Sequence, residues 1–280
     1  MSNLVVINRP LGDALPLVFD SPHSGSIYPE DFNHVMDRMT LRRSEDAHIE
    51  ELFSHVPDHG ATLVHALFPR CYIDPNRNED DLDVTMFDGV WPHPVNPTHK
   101  TKARGIGLIW KNVKALGAVY DRKLTVAEVE KRLNTCWRPY HAALQGELDR
   151  AYAAHGKVVH VDCHSMASHG DHTTEDGAVR RPDFVIGDRD GTTCDPRLTT
   201  CVIETLQACG YSVSLNDPYK GFELVRRSGD PANNRHSIQI EVNRGLYMCE
   251  KTISKTDGYL ALQENLKVLT KAIAELTSEL

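Results

Sequence analysis

Two of the 15 His in this 280-residue chain stand where a reactive site is easiest to build. His23 lies in Asp20-Ser21-Pro22-His23-Ser24-Gly25, and His164 in Asp162-Cys163-His164-Ser165. Two more polar segments complete a set of four: Asp74-Pro75-Asn76-Arg77 and Ile238-Gln239-Ile240-Glu241-Val242-Asn243-Arg244. Each sits at or just past the end of an apolar run that reads as a β-strand. Open α/β sheets bind ligands outside the carboxyl ends of their strands. Neutral imidazole is the commonest metal ligand, and a catalytic zinc site takes three protein ligands plus an open position. Beside two His the third ligand is usually a carboxylate. Asp46, at the mouth of a predicted helix, is the first choice and its neighbour Glu45 the second. The plainer alternative, two polar His satisfied by backbone groups, does not explain their shared placement at strand ends. His169 and His172 form another local pair, in a loop, where a second metal is not expected.

The remaining polar residues divide in the same way. Glu241, near the end of a strand, is placed to act as a general base toward a water, or else to serve as a structural carboxylate paired with Arg244 or Arg235. Arg77 carries a planar fork that matches a carboxylate bidentately, and Asn76 adds a neutral donor. The plainer reading of Asp-Pro-Asn-Arg is a turn held by its own Asx hydrogen bonds. Arg70 and Arg244 offer further positive charge. Tyr219 or Lys220, in a turn after a strand, can reach a ligand or simply shape that turn.

These residues need a scaffold, and the apolar runs supply one. Val5 to Ile7, Leu15 to Phe19, Ala61 to Leu67, Val158 to Val161, Phe184 to Ile186, Tyr211 to Leu215 and Ser237 to Val242 read as strands, and Gly105 to Trp110 as a further candidate. Helices are expected over Asp46 to Val56 with Ser44 as N-cap, over Pro196 to Cys209, and over about Asp257 to Leu276. Thr125 and Glu128 form a capping box that opens a long helix toward His155, with Gly156 as its stop and Pro139 as a kink. Asn78 to Lys102, rich in Asp, Pro and His, reads as a long excursion of the kind that often serves as a lid. Alternation of strand and helix predicts α/β architecture: a mostly parallel sheet with helices on both faces.

Composition narrows the function. The length suits a single domain spanning 1–280. A net charge of −8 argues against a nucleic-acid partner. Seven Cys, an odd number with no C-x-x-C pair, argue against a disulfide framework or zinc ribbon and fit a reduced, cytoplasmic protein. Met1 to Pro10 lacks the features of a signal peptide, and no stretch is apolar enough for a membrane span. Neither a G-x-S-x-G elbow nor a phosphate-binding glycine loop occurs. Cys163 and His164 are adjacent, so on a strand they point to opposite faces and do not form a thiol–imidazole pair.

Taken together, Asp20 to Gly25, Ser44-Glu45-Asp46, Arg70 to Arg77, Asp162 to Met166, Asn216 to Gly221 and Ile238 to Tyr247 resemble, in order, the N-formylglutamate amidohydrolases. The Asp-x-Asn-Arg element is also similar to that of the zinc carboxypeptidase and aspartoacylase group. The resemblance implies a carboxypeptidase-like three-layer α/β/α sandwich. It also implies a zinc-dependent hydrolase that releases formate from N-formyl-L-glutamate, the last step of one route of histidine breakdown. Carried over, His23, His164 and Asp46 are the metal ligands and Glu241 the base. Asn76 and Arg77 are the substrate clamp, assisted by Arg70, Arg244 and Tyr219. Other divalent metals share such ligands. One departure is the missing His-x-x-Glu pair of the carboxypeptidases, since His23 is followed by Ser24-Gly25-Ser26. The alternatives are an amidohydrolase for another N-acyl amino acid, or a non-catalytic protein that keeps the carboxylate pocket.

Overall fold

A computed structural model describes residues 4–113, 116–171, 174 and 176–280. Seven strands form the main sheet: β1 (Val5–Asn8), β2 (Leu17–Ser21), β3 (Thr62–Ala66), β4 (Val158–Met166), β5 (Phe184–Gly187), β6 (Val213–Leu215) and β7 (Arg235–Asn243). Their spatial order is β1-β3-β2-β4-β7-β5-β6. The central four, β3, β2, β4 and β7, are parallel, while β1 and the β5–β6 pair run against them. The helices are α1 (Arg38–Arg42), α2 (Ile49–Leu52), α3 (His99–Arg104), α4 (Val126–Arg132), α5 (Arg138–His155), α6 (Pro196–Ala208), α7 (Glu223–Ser228) and α8 (Gly258–Thr277).

Two apolar clusters make this a three-layer α/β/α sandwich, as the alternation predicts. On one face Tyr140, Leu144 and Leu148 of α5 pack over Val18, Val64 and Val158. On the other, α6 and α8 cover Phe19, Val161, Ile238 and Ile240. The face under α5 is not wholly apolar. Side chains alternate along a strand, so His160, Asp162 and His164 of β4 share it, beside Ser237, Gln239 and Glu241 of β7 and Asp20 of β2. The lower part of this strip is internally satisfied. Tyr140 donates to Asp20 Oδ2 at 2.5 Å, and His160 lies between Asp20 Oδ1 at 2.9 Å and Ser237 Oγ at 2.8 Å. Burial pushes the Asp20 carboxyl up, with neighbouring Asp162 adding to the effect.

Several elements differ from expectation. The helix read over Asp46 to Val56 contracts to Ile49–Leu52, because His48 adopts a left-handed conformation (φ 69°) that no continuous helix tolerates. Gly105 to Trp110 is a compact loop closed by a bridge between Ile106 and Trp110, not a strand of the sheet. The capping box at Thr125 and Glu128 is present. Pro139 would clash with the turn before it in a regular helix. A wide turn over Leu133–Trp137 absorbs the conflict, with Arg138 N–H bonding back to Leu133 O. The excursion after Asn78 is anchored rather than loose: Leu82, Met86 and Phe87 are buried, and it contains α3.

Gly25 and Gly146 test the packing in opposite senses. A Cβ on Gly25 would lie 2.3 Å from Phe68 O and 2.4 Å from Leu67 C, where the exits of β2 and β3 touch. Gly25→Ala therefore lowers the urea midpoint by the equivalent of about 2–3 kcal/mol. Gly146, exposed within α5, has nothing within 4 Å, so Gly146→Ala raises stability by about 1 kcal/mol. A Gly25→Ala protein as stable as its parent would contradict the close approach of the two loops.

Candidate active site

The parallel strands deliver their polar ends to one place. His23 follows β2, Asp46 follows α1, and His164 is an interior residue of β4. His23 Nδ1 and His164 Nδ1 are 3.1 Å apart. Asp46 Oδ2 lies 2.9 Å from His164 Nδ1 and 3.4 Å from His23 Nδ1. All three side chains are almost fully buried. Metal–ligand bonds of about 2.0–2.1 Å in a tetrahedral site place the donor atoms about 3.3 Å from one another, which is the size of this triangle.

The outer atoms of the rings decide what faces inward. His23 Nε2 is 2.7 Å from Asp74 Oδ1, and His164 Nε2 is 2.8 Å from Asp162 Oδ1. A carboxylate fixes the proton on the nitrogen that faces it. Asp74 thus turns His23 Nδ1 toward His164 and Asp46 Oδ2, while His164 Nε2 lies between Asp162 Oδ1 and the Asn76 amide. Two ring nitrogens and a carboxylate oxygen this close in a dry interior favour a positive charge among them: burial works to lower the His164 imidazole, but Asp162 and Asp46 hold it well above its usual range. Asp162 sharpens the point, because it is fully buried and neither carboxylate oxygen makes a well-formed hydrogen bond among the described residues. This buried His/Asp/His cluster can therefore hold a metal ion.

Around the triangle the charges are fixed by arginines. Asp74 accepts from Arg70 Nε and Nη2 at 3.3 and 3.0 Å, from Trp110 Nε1 at 3.2 Å and from Asn76 N–H at 2.9 Å. Burial works to raise its carboxyl, but Arg70 and His23 hold it well below the usual range. Arg244 donates to Asp46 Oδ1 at 2.8 Å, to Ser165 Oγ at 3.0 Å and to Arg43 O at 3.0 Å. Glu241 is the register partner of His164 on β7 and accepts from Gln239 at 3.1 Å. Burial pushes its carboxyl up to about 7, with Asp46 adding to the rise and His164 and Arg70 opposing it. A carboxylate at that value can both take and return a proton near neutral pH. Glu241, Tyr219 and Arg77 line a cleft of about 370 Å³ with the two His.

A family model described as N-formylglutamate amidohydrolase matches residues 15–248. The chain belongs to the N-formylglutamate amidohydrolase family. It is 33% identical over 244 residues to a Pseudomonas putida protein named N-formylglutamate deformylase, covering 84% of this chain and 83% of that one. It is 30% identical to a Pseudomonas aeruginosa protein of the same name, covering 85% and 84%. A solved structure of N-formylglutamate amidohydrolase from Ralstonia eutropha JMP134 superposes with a TM-score of 0.94 at 46% identity over 99% of both chains. A gene product of Agrobacterium tumefaciens, 17% identical with a TM-score of 0.68, shares the fold.

Within this amidohydrolase the other residues singled out from the sequence occupy varied positions. Glu45 is buried away from the triangle, accepting from Tyr28 at 2.8 Å and Arg42 at 3.1 Å. Asn76 spends its side chain internally: Nδ2 is 3.0 Å from His164 Nε2, and Oδ1 accepts from Leu224 N–H at 3.0 Å. Arg77 bonds to Ile106 O and Asn76 O, which leaves its Nη2 with no partner among the described residues. The Tyr219 hydroxyl likewise has none, and its ring lies under Arg181 at 5.2 Å. His172 lies outside the described residues. The sequence reading missed Asp74 and Asp162 as partners of the His rings. Asp162 was findable, since it stands two residues before His164 and so shares its face of the strand.

The turn that carries Asn76 and Arg77 depends on His141, whose Nε2 is 2.9 Å from Pro75 O while its ring lies 3.9 Å from that of Trp137. Burial, with Arg227 adding, depresses His141 to about 3. In the unfolded chain an imidazole takes its proton near 6.5. Protons therefore bind the unfolded state first, and stability is lost as pH falls from about 6.5 toward 3. Urea midpoints measured between pH 7 and 5 fall less steeply for His141→Gln than for the parent, and equal slopes would remove His141 from this account.

Proposed function

We propose that this protein hydrolyses N-formyl-L-glutamate to formate and L-glutamate, using a divalent metal, zinc for preference, held by His23, Asp46 and His164. The observation that carries the reading is the buried triangle of candidate ligand atoms from His23, Asp46 and His164, which shares an arginine-lined cleft with Glu241. The names of the relatives from Pseudomonas and Ralstonia support the substrate. The reaction serves histidine breakdown, and seven free thiols support a reducing, cytoplasmic setting. Among the described residues no helix is long and apolar enough to cross a membrane.

A bound divalent cation supplies Lewis acidity toward the formyl oxygen and makes water acidic enough to attack at neutral pH. The protein does the rest. Glu241 takes a proton from the attacking water and delivers it to the departing nitrogen, so that the amine leaves neutral. Arg70, held between Asp46 and Asp74, presents fixed positive charge to the oxygen that becomes anionic. Arg77 turns its unpaired Nη2 to the substrate α-carboxylate. Asn76 holds the far side of the His164 ring, and Arg244 holds Asp46, so both act by orienting ligands. Tyr219 closes the cleft from the loop after β6.

Purified protein loaded with zinc should release formate from N-formyl-L-glutamate, lose activity to a chelator and regain it on zinc addition. Glu241→Gln should keep its metal and lose about 10²–10⁴ in kcat. Parent-like turnover by that variant would remove Glu241 as the base.

A further inference from the structure

The cations around the cleft are not equivalent. Four are neutralised locally: Arg70 by Asp74, Arg244 by Asp46, Arg181 by Asp176 and Lys220 by Asp190. Two others differ: Arg43, exposed just after α1 and lining the cleft, has no acidic side-chain partner among the described residues, and neither has Arg104 on the wall built by α3. Arg104, half-buried at the end of α3 and lining the cleft, has no side-chain partner among the described residues. Lys100 precedes it by one helical turn, so the two share a face. The Phe222 ring receives the Arg77 guanidinium carbon at 4.4 Å and the Lys100 ammonium at 5.3 Å, which gathers like charges around one apolar surface. The carboxylate nearest to Arg77 here is Asp81, 4.0 Å away. Asp81 is itself fully buried and committed to α3. It accepts from Thr98 N–H at 2.7 Å, Thr98 Oγ1 at 3.2 Å and Thr101 Oγ1 at 2.5 Å.

The buried Asp81 therefore fixes α3 against the cleft, and α3 brings two cations to a wall that holds a third. Gly107 permits the approach, since a Cβ there would lie 2.6 Å from Asp81 O and 2.7 Å from Thr101 Cγ2. In a chain of net charge −8, a half-buried Arg at the cleft with no carboxylate partner among the described residues fits an anion that arrives from outside. We infer that Arg104, carried on α3, binds the side-chain carboxylate of the substrate and so makes the enzyme selective for an acidic N-formyl amino acid over its neutral isostere. This rests on the deformylase reading above and extends it. Arg77, nearer the metal triangle through Asn76, serves the α-carboxylate common to every amino acid, whereas Arg104 serves the group that distinguishes glutamate from glutamine.

The test compares N-formyl-L-glutamate with N-formyl-L-glutamine on zinc-loaded parent, Arg104→Gln, Arg104→Lys, Arg77→Gln and Arg43→Gln proteins. One charge-assisted contact is worth about 1.5–3 kcal/mol. Arg104→Gln should therefore cut kcat/KM for the glutamate substrate by roughly 10–100-fold. The glutamine substrate should change by less than about twofold, and Arg104→Lys should restore part of the preference. Arg77→Gln should lower both substrates alike. Equal losses on both substrates for Arg104→Gln, or a preference moved by Arg43→Gln instead, would overturn the assignment. Calorimetric binding of L-glutamate and L-glutamine to the same proteins separates the two proposals. If the parent releases no formate, the deformylase reading fails. A parent preference for glutamate that disappears in Arg104→Gln still upholds the role of Arg104, and one that persists removes it.

Discussion

Two imidazole nitrogens and a carboxylate oxygen, each about 3 Å from the others in a water-poor interior, call for a positive charge among them. Much of the surrounding structure keeps these atoms from turning away. Asp74 holds the far nitrogen of His23, Asp162 and Asn76 flank that of His164, and Arg244 holds the second oxygen of Asp46. Each of these partners is itself buried, so a side chain that rotated would leave an unpaired charge behind. The polar strip below, Asp20, His160, Ser237 and Tyr140, continues the same logic to the middle of the sheet, where each member satisfies the next.

The sheet makes this possible because register is strict. His164 and Glu241 face the same side as direct neighbours on β4 and β7, so the proposed ligand and the proposed base are placed by one strand pairing rather than by two loops. The opposite face of the same strands is apolar and packs under α6 and α8, which leaves no alternative register. Charge is then graded along the cleft. Acidic groups and their arginines surround the triangle, and beyond it lies the α3 wall, where Arg104 has no side-chain partner among the described residues. A small dianion whose scissile formamide branches beside one carboxylate, with the second carboxylate farther out, matches that gradient in sign.

Much of this was legible in the sequence, and the reasons differ by residue. The strands were readable because Val, Ile and Phe runs end abruptly in Asp, His or Gly, and those ends marked His23, His164 and Glu241. Asp46 was readable only as a carboxylate near a helix mouth. Its choice over Glu45 depends on Tyr28 and Arg42 engaging the latter, contacts that spacing does not encode. Helix α3 was illegible because His99-Lys100-Thr101-Lys102-Ala103-Arg104 has no apolar period, and its stability comes from Asp81, far earlier in the chain. Arg104 was missed for that reason. The short α2 was overestimated because the apolar spacing of Ile49, Leu52, Phe53 and Val56 is helical, whereas the left-handed His48 and the 3-10 turn at Val56–His59 break the element on either side.

The central claim is that His23, Asp46 and His164 together grip one divalent ion. Anomalous diffraction at the zinc edge, on crystals of the protein grown with zinc, tests it directly. One strong peak is expected about 2.0–2.2 Å from His23 Nδ1, His164 Nδ1 and Asp46 Oδ2. A peak bound through the other ring nitrogens or through Glu45, or no peak between the two imidazoles, would contradict it.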